Sequence, residues 1–314
     1  MFPVRWGEQP ADYLFTQISP NSEPLTTPNT DGLEAEATPS VLPSPQVRYG
    51  LFSQSGEELP DTRGEKGEAI KTAINQLHPT LNQLLAAKTL DLAVNDFSSR
   101  LGARVVLESL KADQVTILSH QETPRFPGVA PPDLWMVSEF EKQGRGVQVR
   151  RGDRIQYRIH NYSDLPLYWL VLGLDNRTQF FAIYSPEALL SLPETKATPQ
   201  ETVAPGETLT IPYDMNEYIV RGPTGLASTY VLLSRSPFLK GLEAIATKIR
   251  PPSSNMVPMV VRLSNALEVT QQVFQDLQDG SMATAQQRGI SSDMHWVLDV
   301  DQWATFRFIH QVIS

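Results

Sequence analysis

Gly152-Asp153-Arg154-Ile155-Gln156-Tyr157-Arg158-Ile159-His160-Asn161 is the stretch that decides the fold. Ile155, Tyr157 and Ile159 alternate with Arg154, Gln156, Arg158 and His160, which is the period of a strand with one buried face. Just beyond it, Leu167–Leu174 is apolar throughout, as expected of a strand covered on both faces. Asp175-Asn176-Arg177-Thr178 then reads as a turn, and Gln179–Tyr184 returns as the second arm of a hairpin. Thr202–Ala204, Pro205-Gly206 and Thr208–Ile211 make a strand–turn–strand. Tyr218–Arg221 and Thr229–Leu233 flank Gly222-Pro223-Thr224-Gly225. Some seven short strands with turns between them predict an antiparallel β-sandwich of the immunoglobulin-like kind within a mainly β, α+β chain.

Upstream, Gly64 to Leu92 carries a helical stripe. Ile70, Ala73, Ile74 and Leu77 share one face, Pro79 interrupts, and Leu81, Leu84, Leu85 and Leu92 resume. This predicts a helix pair or one kinked helix, followed by strands at Gly102–Leu110 and Val115–His120. Downstream, Ser236-Pro237 reads as a cap and first helical residue, with Leu242, Ile245, Ala246 and Ile249 facing inward until Pro251-Pro252. Asn265 and Glu268 form a capping-box pattern for a second helix through Ala266, Val269, Val273, Phe274 and Leu277, closed by Gly280. His295–Leu298 and Phe306–Val312 complete the chain, the latter as a strand rejoining the sheet. Phe2–Trp6 reads as a short strand beside an apolar patch at Asp12–Phe15. Ser19 to Gln46 has six prolines, four acids and no base, so it is expected to be a disordered linker.

The resulting organisation is residues 1–18 as a strand and patch leading to a missing upstream domain and 19–46 as the linker. Residues 47–123 are a helix pair with strands, 124–146 a loop, and 147–314 the sandwich with its C-terminal helices.

Composition narrows the chemistry. The 314 residues include 26 Lys plus Arg against 35 Asp plus Glu, a formal net charge of −9, which disfavours nucleic acid as a partner. There is no cysteine, which removes disulfides, thiolate metal sites and a cysteine nucleophile. The start lacks a secretory pattern, and the longest apolar run is Leu167–Leu174, so the expectation is a cytoplasmic protein without membrane contact. The histidines His78, His120, His160, His295 and His310 have no metal-ligand spacing, and nucleotide and serine-hydrolase signatures are absent. No metal or cofactor is predicted. Asp299-Val300-Asp301 lacks the glycine and distal glutamate of a calcium loop. Arg151-Gly152-Asp153 spells an adhesion tripeptide but reads as a turn, as do the glycan-acceptor patterns at Asn161 and Asn176.

One charge feature stands out. Lys142, Arg145, Arg150, Arg151, Arg154 and Arg158 have only Asp153 as an acid among them. Arg145, Arg150, Arg151, Arg154 and Arg158 form a candidate binding patch for an acidic partner. Arg145, Arg150 and Arg151 are also candidate processing sites. No catalytic residue is assigned. The tyrosines cluster between Tyr157 and Tyr230, where strand packing accounts for them.

Several longer strings carry a resemblance: Gly7–Phe15, Ser98-Ser99-Arg100-Leu101, Gly152–Arg158 with Asn161-Tyr162-Ser163-Asp164, Ala204–Leu209, Arg221–Leu226 and Leu298–Thr305. Together they resemble the non-catalytic C-terminal region of bacterial, largely cyanobacterial, caspase-like peptidases of the metacaspase or orthocaspase type. Residues from about Gly152 to Arg235 resemble the β-rich domain of unknown function that accompanies those peptidases. The family works through a His–Cys dyad in a preceding domain, and no residue here matches it. The resemblance therefore implies an accessory or regulatory module that binds a caspase-like catalytic domain, or another protein, in trans. Two alternatives stand beside it: a hydrolase built on carboxylates such as Asp175 or Asp299, and a regulatory substrate cleaved after Arg within residues 142–154.

Overall fold

The computed structural model describes residues 12–18, 47–54, 56–111, 114–124, 147–184, 202–212, 218–247, 259–287 and 299–314. The expected strand at Phe2–Trp6, the linker at 19–46, and the readings at Lys142, Arg145, Ile249 and His295 lie outside them. Two compact units divide the chain, Met1–Leu81 and Asn82–Ser314.

In the first unit, β1 (Tyr13–Ile18) pairs antiparallel with β2 (Arg48–Ser53), Tyr13 opposite Ser53. Phe15 stacks on Tyr49 with ring centroids 5.4 Å apart. Buried Thr62 fastens the chain after β2: its hydroxyl donates to the Leu59 carbonyl at 2.8 Å and accepts the Leu51 N–H at 3.2 Å. Helix α1 (Ile70–Asp91) starts here and continues into the second unit.

Helix α1 is a single element with Pro79 inside it, where a pair was one expectation. Proline removes one amide and leaves the carbonyl four residues back without its bond, but Asn75 is exposed, so water can take its place. The buried stripe also differs from the expected one. Ala73, Leu77, Leu84 and Leu90 are buried, whereas Ile70 and Ile74 are exposed, and Leu92 lies past the helix end at 80% exposure.

The second unit holds two sheets. The five-stranded sheet has the order β10 (Thr208–Ile211), β6 (Arg154–Asn161), β3 (Ala103–Lys111), β4 (Gln114–Glu122), with β11 (Tyr218–Ile219) also on β6. The seven-stranded sheet runs β13 (Met259–Arg262), β8 (Phe180–Tyr184), β7 (Leu167–Leu174), β12 (Gly225–Ser234), β14 (Trp303–Ile313), β5 (Val147–Arg150), with β9 (Thr202–Val203) also on β7. Ladders are antiparallel except β14–β5, which is parallel, a departure from the all-antiparallel expectation. Because β3 pairs with β6, residues 103–111 share one sheet with strands after residue 147.

Strand alternation builds the cores. Val105, Leu107, Ile155, Tyr157 and Ile159 of one sheet join Trp169, Val171, Ile183, Val231, Leu233, Phe306 and Phe308 of the other in one apolar cluster. Tyr157 meets Phe308 edge-on at 5.7 Å. The other face of the seven-stranded sheet (Leu170, Leu172, Phe180, Tyr184, Tyr230, Leu232 and Trp303) packs under helices. These are the end of α1, α2 (Leu239–Ala246) and α3 (Ala266–Gln287). Leu167–Leu174 is therefore covered on both faces, as its composition requires.

Two neighbouring strand pairs are not hairpins. β9 and β10 belong to different sheets, as do β11 and β12, so each connecting turn carries the chain from one sheet to the other. Helix termini also differ from expectation. Ser236 does not cap α2: the flanking residue is Phe238, with no side-chain cap bond. Asp276 of α3 fills that role, accepting the Lys240 and Gly241 N–H groups at 3.0 and 2.8 Å. An acidic side chain at a helix start satisfies otherwise orphaned amides. Gly280 does not close α3 but lies within it, where a Cβ would meet Ser236 Oγ at 2.6 Å. Asn265 does precede α3, but its amide donates to Glu268 and to the Ala244 carbonyl rather than accepting a helix N–H.

Candidate functional site

The linear basic run divides at the start of β6. Arg154 and Arg158 point to the outer face of the five-stranded sheet, away from Ile155, Tyr157 and Ile159. Register places Arg158 beside Val106 and Thr210, and Gln156 beside Glu108. Glu108 is fully buried, and Arg158 Nη2 donates to its Oε1 while Gln156 Nε2 donates to Oε2 at 2.7 Å. A buried carboxylate needs such partners, so Arg158 is occupied as its counter-ion. Nearby, Arg104 pairs with Glu122 at 2.5 Å, and His160 Nδ1 contacts Thr208 Oγ1 at 3.0 Å. Arg154 is half-buried between Leu110 and Ile219 in the cross-strand row.

Arg150 and Arg151 are exposed, on the turn that carries the chain from β5 in one sheet to β6 in the other. The main chain there is held closely. Arg151 N–H donates to the Ile313 carbonyl at 2.9 Å, Gly152 N–H to Val220 at 2.9 Å, and Asp153 N–H to Arg150 at 3.0 Å. Asp153 Oδ2 accepts the Arg150 N–H at 3.0 Å. Gly152 has φ +92°, a conformation that suits glycine. A protease requires an extended segment, so cutting at Arg150 or Arg151 would need β5 to detach from β14. Arg145 lies outside the described residues.

Two cations that the linear pattern did not single out join this turn. Lys111, at the end of β3, lies 4.0 Å from Asp153, and its side chain is 59% exposed. Arg221, also exposed, follows Val220, which exchanges main-chain bonds with Gly152 and Asp153. No sequence signal connects residues 111, 150 and 221; the β3–β6 and β11–β6 ladders bring them together.

The carboxylates weighed for hydrolysis close local turns. Asp175 Oδ1 accepts the Arg177 and Gln179 N–H groups, both at 2.8 Å, closing its own turn. Asp299 Oδ1 does the same for Asp301 N–H at 3.0 Å. Nothing brings these two carboxylates to one site. Burial pushes the Asp276 carboxyl up to about 6 and the Tyr184 hydroxyl up to about 12. His310 is buried on β14, and desolvation lowers it to about 4. Among the described residues no group of three or more His, Cys, Asp or Glu could hold a metal ion.

Some of the strings that stood out in the sequence meet in space. Ser99 Oγ donates to the Trp303 carbonyl at 2.8 Å, and Arg100 N–H to Val300 at 3.1 Å. Gly206 N–H donates to Asn161 at 2.7 Å, Asn161 Nδ2 to Val203 at 2.8 Å, and Asn176 Nδ2 to the Pro223 carbonyl. The Asn161 bonds hold the crossings from β6 to β7 and from β9 to β10, and the Asn176 bond holds the crossing from β11 to β12. No protein-family model, curated protein or solved structure matches the chain.

Proposed function

We propose that this chain is a non-catalytic binding module, and that it serves a caspase-like peptidase system in the cytoplasm by docking a catalytic domain in trans. One observation carries the binding role: some of the distinctive strings fasten sheet-to-sheet crossings, while cations at the β5–β6 crossing stay exposed on a hydrogen-bonded backbone. The assignment to a caspase-like system rests on the resemblance of those same strings. With no cysteine, the chain cannot itself supply that family's nucleophile.

The order β8-β7-β12-β14 supports an immunoglobulin-like sandwich, since it follows C′-C-F-G of variable-type domains, whereas β13, which comes after β12 in the chain, has no counterpart there. Buried Trp169 on β7 stands where such domains carry their core tryptophan. Among the described residues no helix is long and apolar enough to cross a membrane.

The test is capture of a purified caspase-like catalytic domain by this chain, with the chain alone assayed against Arg-containing peptides. Capture without intrinsic cleavage is expected. Cleavage by the purified chain would overturn the non-catalytic reading, and failure to retain any such domain would remove the caspase-like setting.

A further inference from the structure

We infer that the end of the two-sheet body formed by Lys111, Arg150, Arg151 and Arg221 is a docking surface for an acidic, extended protein segment. The inference deepens the binding role proposed above and rests on it.

Charge complementarity is the first reason. Four cations stand at this end, and the acid set among them is Asp153, beside Lys111 and Arg150. That carboxylate is already engaged, accepting the Arg150 N–H at 3.0 Å and lying 4.0 Å from Lys111 Nζ. The chain as a whole carries a formal charge of −9, so an acidic partner is repelled elsewhere and steered to this end.

Preorganisation is the second. The residues carrying the guanidinium groups stand on hydrogen-bonded main chain, joined to β14 through Ile313 and to β11 through Val220. A partner therefore does not have to order the loop that receives it, which lowers the cost of binding.

The third reason selects protein over nucleic acid. The adjoining cross-strand row is Ile219–Arg154–Leu110–Val115, and in it Val115 is 52% and Ile219 41% exposed. Aliphatic side chains beside cations suit a segment alternating acidic and apolar residues. They offer no ring on which bases could stack.

Fluorescence anisotropy tests the assignment with a labelled dodecapeptide alternating Glu and Val, its Gln-for-Glu analogue, and a labelled twelve-nucleotide oligothymidylate. The Glu peptide is expected to bind, and to weaken as salt is added. Arg150→Glu with Arg151→Glu, and separately Lys111→Glu, are each expected to weaken it at least about tenfold. Arg100→Glu, before the opposite end of β3, is expected to leave it unchanged. Circular dichroism on each variant separates lost binding from lost folding. No binding of the Glu peptide, equal binding of the Gln analogue, insensitivity to both charge reversals, or tighter binding of the oligonucleotide would each overturn the proposal. The same variants distinguish its failure from that of the function proposed above. Undiminished capture of the catalytic domain by the Arg150/Arg151 variant removes this surface but keeps the module. Peptide binding without capture keeps the surface and removes the caspase-like setting.

Discussion

The basic run from Arg150 to Arg158 contains two regions of like composition and opposite fate. Arg158 lies on β6 with its guanidinium against fully buried Glu108. Arg150 and Arg151, within eight residues of it, sit on a turn with their side chains in solvent. In the first region the side chains are fixed and carry structure. In the second the backbone is hydrogen-bonded and the side chains stand in solvent. Clustered charge in a sequence therefore says little about availability until its cross-strand neighbours are known.

The largest break in this comparison is expected from Glu108→Ala. It leaves Arg158 and Gln156 facing a vacated acceptor, and losing one partner of a buried pair costs about 3–5 kcal/mol. Urea unfolding measures it. A loss below about 1 kcal/mol would mean that solvent reaches the pair and that the two regions do not differ.

A second contrast sets His160, on the outer face beside Thr208, against His310, buried between Ala227 of β12 and Val147 of β5. The folded His310 is held down to about 4, below its ordinary 6.5. The unfolded chain thus binds the proton first, so stability is complete above about pH 6.5 and falls as the pH drops towards 4. The contribution is about 3 kcal/mol. Asp276 acts oppositely: its folded value, about 6, exceeds 3.8, so its contribution is lost as the pH rises between them. His310→Leu is expected to flatten the acid-side decline in denaturant midpoints relative to the parent chain; an unchanged slope would remove His310 as its source.

Asp153→Ala should cost about 1 kcal/mol, the worth of one hydrogen bond to an exposed amide. It should also strengthen capture of the Glu–Val peptide, because the carboxylate beside Lys111 and Arg150 is gone. The smallest effect on stability is expected from Arg150→Glu with Arg151→Glu, within about 0.5 kcal/mol in thermal or urea unfolding. A larger loss would show that these side chains are structural after all, like Arg158.

Much of the strand content was legible because alternation is a local property. Ile155, Tyr157 and Ile159 had to share a face, and they are buried. Helix ends were less legible. Asp276 caps α2 from another helix, and Gly280 lies where Ser236 packs against α3, so neither role has a signal within the flanking residues. The candidate site was half legible: Arg150 and Arg151 stood out by local charge density, Arg158 stood out with them although it pairs with Glu108, and Lys111 and Arg221 did not stand out.

By itself the sequence determined the mainly β character, the doubly buried strand at Leu167–Leu174, and the lack of any cysteine with which this chain could act as a cysteine peptidase. These follow from side-chain period and elemental chemistry, which need no partner strand. Only the tertiary structure decided which sheet each strand joined and which charges met. Pairing register is a long-range property: β6 could hand Arg158 to Glu108 only once β3 lay beside it, and Lys111 could approach Asp153 only in that same ladder.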